Sequence, residues 1–490
     1  MPRTFARKFS AAALAGAASL ALGACASIPG ANVAPGSPIT AEEQQVGAQY
    51  HEQFVAEFGG EMTGPYARYV EQVGSNIALQ SGLASRPDAF EVTLLNSSVN
   101  NAFAVPGGYV YATRQLVNLM NNEAELAAVL GHEVGHVAAR HSARRQQAAQ
   151  RNQLLGLLGT IIGGAVLGSP ELAQLSQQGA QALTLSYSRS QELEADQLGV
   201  QYLNRAGYDP NAMATLLASL AAQNQLDAQL QGRQNATIPE WASTHPDPAS
   251  RVRNAQQLAA GGTGRLNRET FLQRIDGMIY GDDPEQGVIE GRQFIHPILR
   301  FTFTAPQGTY MVNGTRAVSI NGDSGRAQLT LGQYNGDLGA YVQNVFNAIG
   351  GDQQQIRPQS IQRTTVNGLP AAYGTARVNN GQQQVDVTVF AYEFANDRAY
   401  HFQAITPAGQ AGNFNSLYQS FRPISAAEAG SVVPRRIDIV TAGRSDTVAT
   451  MARRMAYDNG QEARFRVLNG LGSGDRVVPG QQYKIVVRSN

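Results

Sequence analysis

One cysteine, Cys25, stands in 490 residues, which rules out any disulfide within the chain and leaves that thiol to be read from its surroundings. Net charge is missing as well. The 37 basic side chains equal the 37 acidic ones, so the chain carries neither a nucleic-acid footprint nor a field for acidic substrates, and no nucleic-acid partner is expected. Two uncharged apolar runs, 11–24 and 154–168, fall short of the roughly 20 residues a membrane-spanning helix needs. What is present supports real cores: hydrophobic residues make up 43% of the chain. Its length exceeds one core and predicts a multidomain protein of about three globular units.

The run 11–24 follows Arg3, Arg7 and Lys8, a basic segment and then an apolar one, which is the layout of an export signal. It ends in Leu22-Gly23-Ala24-Cys25, which resembles the lipobox of bacterial lipoproteins, where cleavage precedes the cysteine and its sulfur is lipidated. The resemblance implies a signal peptide over 1–24, a lipid anchor on Cys25 and a periplasmic location. Ala26 after the cysteine, rather than Asp, implies the outer membrane. Residues 26–39 contain three prolines and no periodicity, so 25–39 reads as a tether.

The chemistry-bearing stretch is His132-Glu133-Val134-Gly135-His136, inside an apolar-periodic run predicted to be helical over 123–141. Residues four apart lie about 40° from each other around a helix, so both imidazoles point the same way and can share one metal ion. Leu126, Val129, Leu130, Val134 and Val137 surround them, and a half-buried histidine pair needs a partner. Two neutral imidazoles suit zinc, and the carboxylate of Glu133 suits a general base.

A further helix opens at Ser188 and ends near Gly207-Tyr208-Asp209-Pro210. It supplies the carboxylate that a two-histidine zinc site takes from a neighbouring helix. Glu192 and Asp196 are four apart, so one can bind metal while the other orients a liganding histidine; Glu194 is expected to face elsewhere.

These residues resemble the gluzincin peptidases of family M48, which include the BepA-type periplasmic proteases. The family pattern H-E-x-x-H-x-x-x-x-H followed by E-x-x-A-D is met by His132, Glu133, His136 and His141, then Glu192, Ala195 and Asp196. The likeness extends over about 40–260 and takes in 101–108, 206–210 and Thr244-His245-Pro246. It implies a mainly α, zincin-type peptidase domain with a small sheet over 40–262. It also implies one Zn2+ held by His132, His136 and Glu192, with Glu133 as base and Asp196 supporting a ligand. Relatives place the counterpart of His245 over the zinc, where it either donates to the oxyanion or fills the fourth metal position in a latent state. The activity implied is endopeptidase action on misfolded or misassembled envelope proteins. The alternative is a chaperone or cell-wall-binding adaptor with a latent zinc site.

Elsewhere, Thr40 and Glu43 form a capping-box pattern ahead of Val46, Tyr50, Phe54 and Phe58, with His51 off that stripe as a surface residue. Tyr69, Val70, Val73 and Ile77 predict a second helix over 66–80. Residues 90–95 and the two halves of 103–111 around Pro106-Gly107-Gly108 predict strands, of which 102–105 is either plain sheet or a docking edge for substrate backbone. The glycine-rich run 154–168 is read as a mobile lid near the cleft or else a membrane-contacting segment.

Asn-Gly pairs at Asn313, Asn321, Asn367 and Asn380 between alternating runs predict an antiparallel α+β domain over 266–424. Its single helix carries Leu338, Tyr341, Val342, Val345 and Ile349, and His296 and His401 there read as structural. Residues 437–487 resemble a βααβ LysM module, placed at 435–490, which implies a peptidoglycan partner.

Overall fold

The computed structural model describes residues 33–145, 187–230, 245, 248–350, 355–379 and 384–489. The signal segment, Cys25, most of the tether, the run 154–168, Asn380 and the neighbours Ser243, Thr244, Pro246 and Asp247 lie outside the described residues.

Helix Ala41–Glu57 starts where the capping box predicts: the Glu43 amide donates to Thr40 Oγ1 at 3.2 Å and the Thr40 amide to Glu43 Oε2 at 2.9 Å. His51 departs from its expected surface role. Its Nδ1 lies 3.0 Å from the hydroxyl of buried Tyr111, and the two rings stack, so it fastens this helix to the sheet. Helix Pro65–Leu79 buries Tyr69, Val70, Val73 and Ile77 on one face, as their spacing requires.

The small sheet has three strands. Glu91–Leu95 runs parallel to the central Tyr109–Thr113, and Ala102–Val105 pairs antiparallel with that strand from the other side, leaving Ala102–Val105 at the sheet edge. Gly107 and Gly108, at φ 94° and 87°, make the turn between them, a conformation other residues adopt only with strain.

Behind this sheet lies the motif helix, Glu123–Ala138, capped by the Asn122 side chain; all its residues are buried. It stops short of the expected end at 141. Arg140 adopts φ 55°, which breaks the helix, and the chain turns into a second short helical stretch at 141–145. A left-handed non-glycine residue costs about 1–2 kcal/mol. Here the Arg140 guanidinium offsets that by donating to the carbonyls of Val137, Ser37 and Pro38 at 3.0, 3.0 and 3.1 Å and pairing with Glu43 at 2.8 Å.

The helix Arg189–Ala206 packs against the motif helix through small residues. A Cβ on Gly135 would sit 3.1 Å from the Ala195 carbonyl oxygen, and one on Gly199 would sit 3.2 Å from the His132 amide nitrogen, so the two backbones approach closely. Helices Ala212–Leu230, Pro248–Leu258 and Arg268–Ile275 complete this part.

One hydrophobic cluster runs from Tyr69, Ile77, Leu126 and Leu130 through Phe271 and Leu272 into Ile437, Met451, Phe465 and Ile485. The C-terminal segment follows the strand-helix-helix-strand order read from sequence, Arg435–Thr441 pairing antiparallel with Gln482–Arg488, yet it shares its core with the motif helix's surroundings. Between them, a seven-stranded antiparallel sheet buries Val342, Val345 and Phe346 of helix Leu338–Gly350 on one face. Its other face closes over an aromatic cluster that includes Phe301, Phe303, Phe402 and Phe421. Asn367 and Gly368, at φ 48° and 83°, make one of its tight hairpins, as the Asn-Gly pair predicts. Among the described residues no helix is long and apolar enough to cross a membrane.

Candidate metal centre

Helical spacing puts His132 and His136 on the face of the motif helix that meets helix Arg189–Ala206, whose first turns carry Glu192 and Asp196. That second helix is started by a capping box between Ser188 and Gln191, so its register, and with it the aim of Glu192, is set locally.

The structure brings His132, His136, Glu192 and His245 together, all buried, with one ligand atom from each within 4.8 Å of the others. His132 Nε2 lies 3.0 Å from His136 Nε2, 3.3 Å from His245 Nδ1 and 3.6 Å from Glu192 Oε2. Glu192 Oε1 lies 3.4 Å from His136 Nε2 and 3.1 Å from His245 Nδ1. A tetrahedron with metal-ligand bonds of about 2.0–2.1 Å has edges of about 3.3–3.4 Å, so the donor set has the spacing, type and number that zinc takes.

The base candidate sits beside this cluster. Glu133 is fully buried, and neither of its carboxylate oxygens has a hydrogen bond among the described residues; its nearest ion-pair neighbour is His245 Nε2 at 3.5 Å. Burial pushes its pKa above the usual carboxylate range. Orphaned buried acceptors of this kind call for a water or an ion, which is what a metal site with an activated water would supply.

Electrostatics around the cluster are mutually compensating. Burial holds His136 well below its ordinary pKa, which keeps the imidazole neutral and able to offer a lone pair. Burial alone would raise Glu192, but His245, His136 and His132 reverse that and hold its carboxyl far below the usual range. Burial would lower His245, and Glu192 and Glu133 raise it instead.

Asp196 Oδ1 lies 3.0 Å from His132 Nδ1, the ring nitrogen turned away from the cluster, and so fixes that imidazole's orientation. Arg251 was not singled out from sequence as a site residue. It is fully buried, donates to both Asp196 oxygens at 2.8 and 2.5 Å, and also donates to Glu192. The signal for it was electrostatic: Glu133, Glu192 and Asp196 buried together require a cation, and an arginine on the helix just after His245 is placed to supply it.

Glu194 faces away from the cluster, as its place on the helix predicts, and finds its partners in the stretch after the motif helix. Its Oε2 lies 3.1 Å from His141 Nε2 and accepts from Arg144 at 3.0 Å, because the break at Arg140 folds His141 back toward this helix. Tyr187 stacks on the His136 ring with centroids 3.8 Å apart. Beside His136 a recess is lined by Ala104 and Val105 of the edge strand, by Pro106 in the turn after it, and by Val137, Ala143 and Tyr187. Cys25 lies outside the described residues, and His296 and His401 are not brought to the cluster.

Residues 66–259 match the model of Peptidase family M48. The chain is 36% identical over 199 residues to the beta-barrel assembly-enhancing protease of Escherichia coli O157:H7, covering 39% of this chain and 38% of that one. It is 37% identical over 199 residues to the protein of that name from Yersinia pestis, with the same coverage. It is also 30% identical over 233 residues to the mitochondrial metalloendopeptidase OMA1 of Schizosaccharomyces pombe, covering 46% of this chain and 64% of that one. The similarity thus spans 38% of the length of the first two relatives.

Proposed function

We propose that this chain, which carries a peptidase family M48 domain over residues 66–259, is a zinc-dependent endopeptidase of the bacterial envelope acting on misfolded or misassembled envelope proteins. The observation that carries this reading is the conjunction of a four-donor buried cluster with the adjoining, unbonded carboxylate of Glu133. The names of the relatives, a barrel-assembly protease and a mitochondrial metalloendopeptidase, support a protein substrate.

When bound, zinc supplies Lewis acidity, polarising the scissile carbonyl and acidifying the attacking water. His132, His136 and Glu192 would hold it. Glu133 takes a proton from water and delivers it to the leaving amine, a task suited to a carboxyl whose pKa burial has raised. Asp196 and Arg251 keep His132 and Glu192 aimed. The free side of Ala102–Val105 receives extended substrate backbone through main-chain hydrogen bonds.

Substituting Glu133→Gln tests this. The variant keeps one zinc per chain and loses casein hydrolysis by roughly 10²–10⁴-fold; cleavage at the wild-type rate overturns it.

A second reading, a chaperone or adaptor with a latent site, is favoured by one observation: His245 Nδ1 lies 3.1 Å from Glu192 and 3.3 Å from His132, in the place of a fourth ligand. Latency and catalysis are compatible if His245 leaves on activation. We further propose lipidation at Cys25, anchoring to the outer membrane, and a LysM-like role for 435–490 in holding peptidoglycan. That segment's βααβ order and exposed 472–476 loop support it. Fractionation of a Cys25→Ser variant and sedimentation of the protein with purified peptidoglycan check these two points.

A further inference from the structure

We propose that His141 and Glu194 are positioning residues for His136, forming with Arg144 a hydrogen-bonded chain that fixes the ring and tautomer of the second metal-site imidazole. The proposal rests on the metallopeptidase reading above and adds a role for two side chains outside the ligand set.

His136 turns Nε2 toward His132 and Glu192, at 3.0 and 3.4 Å, so its other ring nitrogen, Nδ1, faces away; that atom lies 2.8 Å from His141 Nδ1. Two ring nitrogens at that distance share one proton. For His136 Nε2 to offer a lone pair, the proton resides on His136 Nδ1 and is donated to His141 Nδ1. His141 must then carry its own proton on Nε2, which donates to Glu194 Oε2 at 3.1 Å, and the same oxygen accepts from Arg144 Nη1 at 3.0 Å. With both rings neutral and His136 Nε2 left free for a metal, only this set of tautomers satisfies the His136–His141 and His141–Glu194 contacts together.

The geometry depends on the break at Arg140. In an unbroken helix a residue five positions after His136 would lie about 140° away around the axis and could not reach its ring. The left-handed turn brings His141 back, fully buried, with centroids 4.9 Å apart. Gln191 Nε2 adds a bond of 3.4 Å to the His141 carbonyl oxygen.

The two liganding histidines are thereby supported in parallel but unlike ways. His132 leans directly on a buried carboxylate, Asp196, neutralised by Arg251. His136 reaches its carboxylate through a second imidazole, and that carboxylate, Glu194, is 41% exposed. Tyr187 covers one face of the His136 ring, which leaves the His141 contact to set its in-plane direction.

The test uses the full chain with His141→Ala, His141→Asn and Glu194→Ala. Zinc affinity is measured by chelator competition, the visible spectrum is recorded with Co2+ in the site, and the thermal midpoint of the metal-free protein is taken as a folding control. Outer partners of liganding histidines typically contribute 10–100-fold in metal affinity. His141→Ala should therefore weaken zinc binding by about that factor and alter the cobalt spectrum. His141→Asn, whose side-chain oxygen can accept from His136 Nδ1, should restore most of both. Glu194→Ala should fall between wild type and His141→Ala. Wild-type affinity and spectrum in His141→Ala overturn the proposal, as does a loss that Asn fails to rescue and that tracks the metal-free midpoint. If the wild-type protein itself binds no zinc, the metallopeptidase reading fails first, and this proposal falls with it.

Discussion

Lys484 Nζ lies 2.5 Å from the main-chain oxygen of Met120 and also donates to those of Asn118 and Leu119, at 2.9 and 3.1 Å. A lysine from the C-terminal strand thus caps the helix Arg114–Leu119 immediately before the motif helix begins. It is fully buried, with Glu125 of the motif helix as its charge partner, and burial lowers its pKa to about 7. The C-terminal segment shares one hydrophobic core with the motif helix and its surroundings.

Lys484→Met removes three donors from buried carbonyls while keeping most of the apolar stem. Each lost bond contributes about 0.5–1.5 kcal/mol, so the full chain should lose about 2–4 kcal/mol, read as a lower urea midpoint. An unchanged midpoint would show that the docking is held by apolar contacts alone.

Arg251→Leu leaves Glu192 and Asp196 buried without their guanidinium. Breaking a buried pair costs about 3–5 kcal/mol. The loss should be largest in metal-free protein and smaller with zinc present, because a divalent cation supplies part of the missing charge. Urea titrations with and without chelator read the difference, and equal losses in the two would count against a metal at this position.

His245→Ala vacates the place of the fourth donor. Casein hydrolysis should rise if His245 closes the site in a latent state. Unchanged or lower activity, with zinc content intact, would instead assign it to the oxyanion.

Folding should be pH-sensitive through the central sheet. Burial lowers His401 to about 4, against an ordinary value of 6.5, and its Nδ1 lies 2.7 Å from the Tyr341 hydroxyl. With the folded pKa depressed, the unfolded chain binds more protons between those values. Its contribution is fully present above pH 6.5 and is lost as pH falls toward 4, by up to about 3 kcal/mol. A His401→Gln variant should flatten that slope in equilibrium unfolding, and an unchanged slope would assign the effect to other groups.

By itself the sequence determined what local periodicity can encode. Spacing of four placed His132 and His136 on one helical face, the pairs Thr40/Glu43 and Ser188/Gln191 started their helices, and Asn367-Gly368 closed a hairpin. Each depends on atoms a few residues apart. Tertiary structure alone decided the partners. Arg251 compensates Asp196 from 55 residues away, Glu194 meets His141 where Arg140 turns the chain, and Lys484 reaches Met120 from 364 residues further on. Burial makes charge compensation obligatory, but which side chain satisfies it depends on how distant elements pack, and no local pattern carries that information.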